Sequence, residues 1–171
     1  ELPINQRALV VGGGIAGMTA ALAIADHGFE VDLVEQTENL GGNLTWLKKS
    51  LEGYPTKPLL EENCALVEKH PKISVRTESR VIYTEGEVGN FETTLEGPDN
   101  IAHTLKHGVT ILATGGTEAV TTSYGYETSP AIITQKEFEQ QLSANSIDPQ
   151  QLNSVVMIQC VDSREAPRNY C

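Results

Sequence analysis

A glycine-rich segment between two apolar runs constrains the fold of this chain more than any other feature. Residues 9–35 read LVVGGGIAGMTAALAIADHGFEVDLVE, in which Gly12, Gly14 and Gly17 form the pattern G-x-G-x-x-G. The apolar run at residues 7–11 is typical of a parallel strand buried on both faces. The sequence therefore predicts a strand that leads directly into a glycine turn.

The residues after the turn predict a helix and a second strand. Apolar residues recur at helical spacing from Ile15 to His27, and Gly28 supplies a C-terminal stop. Residues 30–35, EVDLVE, then have the composition of a strand. Strand, helix and strand in this order indicate a βαβ unit and an α/β fold with a parallel sheet.

Each glycine of the turn has a separate physical role in a dinucleotide-binding unit. Gly12 would allow the tight bend, Gly14 the approach of a pyrophosphate to the backbone, and Gly17 the close packing of helix on strand. Ile15 and Ala16 begin the helix, where free N–H groups and the helix dipole attract an anion. The turn is therefore a candidate pyrophosphate site that contains no lysine.

An acid at the end of the second strand extends this pattern. Glu35 lies eighteen residues beyond Gly17, where a carboxylate can accept hydrogen bonds from ribose hydroxyls. Glu35 would repel a 2′-phosphate, and Gln36 follows it rather than an arginine, so NADP is disfavoured. The residues alone do not show whether the dinucleotide is NAD or FAD.

The middle of the chain predicts further parts of an α/β fold. Residues 59–69 are expected to be a helix and residues 73–79 a third parallel strand. A small antiparallel insertion is expected around residues 80–106, with turns at Glu85-Gly86 and at residues 97–99.

Two buried strands and one more helix are expected in the C-terminal part. The strands are residues 108–116 and 154–161, and the helix is residues 134–144. Thr134 followed by Glu137 predicts a capping box at the start of that helix.

Charge and hydropathy exclude several classes of function. The formal net charge is −11, from 23 Asp and Glu against 12 Lys and Arg, which disfavours binding to nucleic acid. No apolar run approaches the roughly 20 residues that cross a bilayer, and the N-terminal residues lack the pattern of a signal peptide. We expect a cytoplasmic protein with no direct membrane insertion.

The glycine turn, Glu35, the pair Gly41-Gly42 and the later segment TILATGG resemble the flavoproteins that contain two dinucleotide-binding domains. The resemblance implies a Rossmann-like FAD/NAD(P)-binding domain whose first unit binds FAD. It places Gly41 and Gly42 near the FAD. It also implies that the segment containing Ala113, Thr114 and Gly115 closes the FAD domain.

Within that group, the chain resembles the iron–sulfur flavoprotein component of heterodisulfide reductase. The resemblance is carried by the segments GGNL, HPKISV, VGNFETT, HGVTILATGG, TQKEFEQQL and SVVMIQCVDSRE. It implies an FAD-dependent oxidoreductase that transfers electrons within a complex with other subunits. It also implies 4Fe-4S clusters in the full-length parent.

The resemblance also sets expectations about domain organisation. Residues 1–150 would form the FAD-binding domain, and residues 151–171 the start of a second nucleotide-binding-like domain. The chain is then a fragment that is expected to be inactive alone and to hold FAD weakly. Two other functions stay open: an NAD-binding domain of a dehydrogenase, and a scaffold that has lost its cofactor.

The remaining reactive residues predict neither a catalytic residue nor a metal site in this chain. Cys64 is expected in the core, whereas Cys160 and Cys171 are expected to be free thiols. Trp46 is expected to serve packing. The family form CVGSR has a glycine where this chain has Asp162.

Overall fold

A computed structural model describes residues 4–99, 101–164 and 166. The chain divides into two compact units. The first comprises the chain up to Thr45 together with Lys49–Gly115, and the second comprises Trp46–Lys48 together with the chain from Gly116. The assignment of residues 1–150 and 151–171 to two nucleotide-binding domains stays a prediction.

The first unit is built on a four-stranded parallel sheet. Its strands are β1 (Ala8–Val11), β2 (Val31–Val34), β3 (Ile73–Arg76) and β7 (Val109–Leu112), in the order β3-β2-β1-β7. The central strands β1 and β2 are almost fully buried. The predicted parallel sheet is confirmed.

Two helices cover one face of this sheet. They are α1 (Ile15–Asp26) and α2 (Thr56–Lys69). Small residues of α1 let it approach the sheet closely, and Met18 packs in the core that the helices share with the strands. The predicted helix at residues 59–69 is confirmed, but it begins three residues earlier, after Pro55, because Pro58 is tolerated in a first turn, where backbone N–H groups need no helical partner.

An antiparallel sheet covers the opposite face. It consists of β4 (Arg80–Glu87), β5 (Asn90–Glu96) and β6 (Ala102–His107), and Leu95 packs against Leu9 and Val34 of the parallel sheet. The predicted insertion is therefore confirmed.

The turn predicted at Glu85-Gly86 is wrong. Those two residues stay in β4 and pair with Glu92 and Phe91 of β5, and the chain reverses at residues 88–89. Gly86 serves a close approach instead, since a Cβ atom there would overlap the carbonyl oxygen of Asn90.

Strand β7 forms where a strand was predicted, but it is not a buried strand. Among the described residues it pairs with β1 alone, at the edge of the sheet, and Leu112 is 75% exposed. An edge strand lacks a neighbour on one side. This explains why Leu112 is exposed although the composition of β7 is typical of a buried strand.

The second unit contains α3 (Gln135–Ser143) and short 3-10 turns. Thr134 and Glu137 form the predicted capping box, in which each side chain accepts from the other residue's backbone N–H. The buried strand predicted at residues 154–161 is wrong. These residues pair with no strand and Val156 is 83% exposed, because the described part of this unit offers no strand to pair with.

Candidate functional site

Two glycines of the turn are required by close packing. Gly12 has φ +112°, and a Cβ atom on it would overlap the carbonyl oxygen of Ala113. A Cβ atom on Gly17 would overlap the carbonyl oxygen of Gly12 and lie 3.4 Å from Cβ of Ala113. These contacts match the bend and the helix–strand approach that the sequence predicts for Gly12 and Gly17.

Gly14 differs from its neighbours because its α-carbon faces open space. It caps α1 in an extended conformation with φ −73°, and the nearest atom to an added Cβ is Cα of Gly42 at 3.9 Å. The first helical hydrogen bond runs from the N–H of Met18 to the carbonyl of Gly14 at 2.9 Å. The N–H groups of Ile15 and Ala16 therefore have no acceptor within the helix.

The pair Gly41-Gly42 lies directly on the glycine turn. The N–H of Gly41 donates to the carbonyl of Gly13 at 2.8 Å, and Gly14 and Gly41 form a parallel bridge. Both residues of the pair have positive φ, and a Cβ atom on Gly42 would lie 3.1 Å from Cα of Gly14. The structure thus brings together two glycine segments that are distant in sequence.

Glu35 is buried beside the same turn, with 7% of its surface exposed. Its Oε2 accepts from the N–H of Gly13 at 2.7 Å. Its Oε1 accepts from both the N–H and the hydroxyl of Thr37, each at 2.8 Å. Because a carboxylate offers about four acceptor positions, one remains for a further donor such as a ligand hydroxyl.

Gly13 and Thr37 were not predicted as site residues. A Cβ atom on Gly13 would lie 2.5 Å from Cδ2 of Leu40 and 2.9 Å from Cβ of Glu35. The run of three consecutive glycines is the sequence signal for this crowding, since G-x-G-x-x-G demands no glycine at the middle position. Thr37 carries no comparable signal.

The segment Ala113–Gly115 continues from β7 past the turn. The N–H of Ala113 donates to the carbonyl of Val11 at 2.8 Å, which holds the segment against β1. Thr114 and Gly115 are exposed, and Gly115 has φ +65° with no neighbour near an added Cβ. The segment thus borders the turn and leaves its last two residues accessible.

An open cleft begins at Gln36, immediately after Glu35. It lies between the loop after β2, the start of β4 and the end of β5. Its lining includes Gln36, Glu38, Glu78, Arg80, Glu96 and Pro98. The cleft is therefore predominantly acidic.

A buried ion cluster supports the strand that carries Glu35. Asp32 is 1% exposed and accepts from Nη1 of Arg7 and Nε of Arg76, both at 2.9 Å. The hydrogen bond with Asp32 raises the pKa of Arg7. Two arginines thus neutralise a carboxylate in the middle of β2.

The other reactive or aromatic residues singled out in the sequence have contacts of their own. Cys64 is half-buried, with its Sγ 3.9 Å from Sδ of Met18, and burial raises the pKa of its thiol. Trp46 lies under the Nζ of Lys136, 5.5 Å from the ring centroid. Cys160 is exposed, and Cys171 lies outside the described residues.

Asp162 occupies a left-handed conformation with φ +52°, which a glycine would adopt without strain. Its carboxylate accepts from the hydroxyls of Thr121 and Ser123 at 2.5 and 3.0 Å. The bond from Thr121 is the main cause that lowers the pKa of Asp162. Aspartate tolerates the left-handed region better than most residues.

No group of three or more His, Cys, Asp and Glu within residues 4–99, 101–164 and 166 could hold a metal ion. Over the same residues, every helix is too short or too polar to cross a membrane.

Comparison with known proteins places these features in a family. The pattern of the pyridine nucleotide-disulphide oxidoreductases matches residues 6–158. The chain is 40% identical over 100 residues to a CoB–CoM heterodisulfide reductase iron-sulfur subunit of Methanopyrus kandleri, covering 56% of this chain and 15% of that protein. It is 44% identical over 97 residues to a protein of Archaeoglobus profundus that is named as heterodisulfide reductase-like, covering 52% and 13%.

Solved structures agree on the fold. The L-proline dehydrogenase of P. horikoshii superposes with a TM-score of 0.58 at 22% identity, over 68% of this chain and 24% of that one. The chain aligns with only about a seventh of the length of the two heterodisulfide reductase relatives named above.

Proposed function

The chain belongs to the pyridine nucleotide-disulphide oxidoreductase family, and we propose that it is the FAD-binding domain of an electron-transfer oxidoreductase similar to the iron–sulfur flavoprotein component of heterodisulfide reductase. One observation carries the proposal. Gly14 leaves open space at the N-terminus of α1, and the Gly41-Gly42 pair lies beside it. That arrangement fits a dinucleotide pyrophosphate.

Each part of the site has a proposed role toward the ADP half of FAD. The N–H groups of Ile15 and Ala16 would receive the pyrophosphate, because they have no helical acceptor and lie at the positive end of the helix dipole. Glu35 would accept from a ribose hydroxyl at its remaining acceptor position. The base would then extend toward Gln36 and the cleft that begins there.

The flavin half of the site is proposed from the resemblance. Ala113, Thr114 and Gly115 border the turn, and Thr114 and Gly115 are accessible. When bound, FAD supplies the redox chemistry itself, so the protein has to bind, orient and tune it. The segment after β7 and the Gly41-Gly42 pair favour FAD over NAD.

Iron–sulfur clusters and partner subunits belong to the proposal for a larger protein. The Methanopyrus kandleri relative is named an iron-sulfur subunit of a reductase. We place any 4Fe-4S cluster outside the described residues of this chain, since these hold no cluster of metal-binding side chains. Other subunits of an electron-transfer complex are the proposed partners, and the proposed location is cytoplasmic.

Calorimetric titration with FAD, ADP and NAD tests the proposal. We expect FAD and ADP to bind with comparable affinity, on the order of micromolar, and NAD to bind more weakly. Gly14→Val should abolish binding of both FAD and ADP, because the side chain would fill the open space beside Gly42. Gly28→Asn, at the other end of α1, is the matched control and should bind like the wild type.

The two alternatives predict different results. An NAD-binding domain of a dehydrogenase would bind NAD best and lose it in Gly14→Val. A cofactor-free scaffold would bind none of the three ligands. Either outcome would contradict the FAD-binding function.

A further inference from the structure

We propose that the ion pair between Arg80 and Glu96 makes the cleft beside Glu35 selective against nucleotides that carry a 2′-phosphate on the ribose. This inference rests on the proposed function, because it concerns the ligand of the same site. It names residues of the antiparallel sheet as determinants of specificity, in addition to the acid at the end of β2.

The pair is held in place by the strands that carry it. Arg80 at the start of β4 lies directly opposite Glu96 at the end of β5. Nε and Nη2 of Arg80 both contact Oε2 of Glu96, at 2.7 and 2.6 Å. The guanidinium therefore directs two of its donors at a carboxylate of its own sheet.

The charge of the cleft makes this pairing important. Glu38, Glu78 and Glu96 line the cleft, and Arg80 is the one cation among the described residues that do so. With Arg80 paired to Glu96, Glu38 and Glu78 leave an excess of negative charge. A dianionic phosphate entering the cleft would meet repulsion without an available cation.

The position of the cleft relates it to the ribose. Gln36 lines the cleft and directly follows Glu35, the proposed acceptor for the ribose hydroxyl. A phosphate on that hydroxyl would replace the donor that Glu35 needs and would face the cleft. Arginine is the side chain best suited to bind such a phosphate. The guanidinium of Arg80, however, is already paired with Glu96.

Two ligands that differ only in the 2′-phosphate provide the test. ADP-ribose and 2′-phospho-ADP-ribose are titrated calorimetrically into the wild-type chain and into Glu96→Gln. We expect the wild type to bind ADP-ribose at least about tenfold more tightly, which corresponds to about 1.4 kcal/mol. In Glu96→Gln the ratio of the dissociation constants of the two ligands should fall by about threefold, which is the size of effect typical of one partly exposed ion pair.

Matched variants separate the ion pair from net charge. Glu92→Gln removes the same charge from the Lys106–Glu92 pair, which lies on the same sheet outside the cleft lining, and should leave the ratio unchanged. The double variant Glu96→Gln, Arg80→Gln should restore the wild-type ratio. Thermal melting of each variant verifies that it is folded.

Three outcomes would overturn the inference. An unchanged ratio in Glu96→Gln, or an equal narrowing in Glu92→Gln, overturns it while binding of ADP-ribose by the wild type still supports the proposed function. If the wild type binds neither ADP-ribose nor FAD, the proposed function fails and the inference fails with it.

Discussion

The carboxylate of Glu35 accepts a hydrogen bond from the backbone N–H of Gly13 over 2.7 Å, which joins the end of β2 to the glycine turn. The same carboxylate holds Thr37 through two further bonds. Glu35 therefore has a structural role in the free protein in addition to its proposed role toward ribose.

Glu35→Gln is expected to destabilise the chain as well as to weaken ligand binding. The amide has one acceptor oxygen, so its NH₂ group would face either Gly13 N–H or the donors of Thr37. A buried donor left without a partner costs about 1–3 kcal/mol. Urea unfolding followed by circular dichroism should show this loss, and Glu38→Gln at an exposed position should unfold like the wild type.

Alanine variants of Gly17 and Gly14 should differ in their effects on the stability of the chain and on its affinity for ADP. Gly17→Ala forces a methyl group into the carbonyl oxygen of Gly12 and should lower the free energy of unfolding by about 1–3 kcal/mol. Gly14→Ala meets open space in an ordinary backbone conformation, so its stability should stay within about 0.5 kcal/mol of the wild type. Its affinity for ADP should still fall. Equal melting temperatures for the two variants would contradict this account.

The glycine spacing predicted the backbone geometry of the turn because each position has a separate steric requirement. Gly12 and Gly17 occupy crowded positions, and Gly14 faces open space, as the pattern requires. The capping box of α3 was predictable for the same reason, since Thr134 and Glu137 interact within one helical turn. Local geometry is encoded in local sequence.

Features that depend on distant residues were not predictable. The bonds to Asp32 of β2 come from Arg7, just before β1, and from Arg76 of β3, which only the fold brings together. Residues 154–161 have the composition of a buried strand, yet composition does not supply a neighbouring strand to pair with. The position of β7 at an edge likewise depends on sheet order rather than on its own residues.

Asp32→Asn should destabilise the chain by about 1–3 kcal/mol, because Arg76 loses its ion pair and Arg7 keeps only its pair with Glu30, while the packing stays the same. The cost is at the lower end of buried ion pairs, since Arg7 and Arg76 are 35% and 37% exposed and keep part of their hydration. Glu92→Gln breaks an exposed pair and provides the control for urea unfolding. A difference below about 0.5 kcal/mol between the two variants would argue against a structural role for the cluster.

His107 is expected to make the chain less stable in mildly acidic solution. Its ring is buried against Phe91 at a centroid distance of 5.5 Å. Since a carbonyl can only accept, Nδ1–H donates to the carbonyl of Val109 at 3.1 Å, and Nε2 then accepts from the hydroxyl of Thr93 at 2.8 Å. Burial is the main cause that lowers the pKa of His107, and the Val109 bond and Asp32 oppose it.

The sign of the effect follows from proton binding. The unfolded chain protonates His107 near pH 6.5, whereas the folded chain does so only at lower pH. Between these two values the unfolded state binds more protons, so the free energy of unfolding falls as the pH falls. The contribution of the neutral His107 ring to the free energy of unfolding is fully present above about pH 6.5. It is lost progressively as the pH falls to the pKa of His107 in the folded state. Urea unfolding at pH 7.5, 6.5, 6.0 and 5.5 should show this decline.

A pair of histidine variants isolates the contribution of the buried ring. His107→Gln should lower stability at pH 7.5, because the packing against Phe91 is lost, and should flatten the dependence below pH 6.5. His103→Gln changes an exposed histidine of the same strand and should keep the decline. If both variants retain the wild-type slope, the acid sensitivity arises from other groups, and the buried ring is protonated as readily in the folded chain as in the unfolded one.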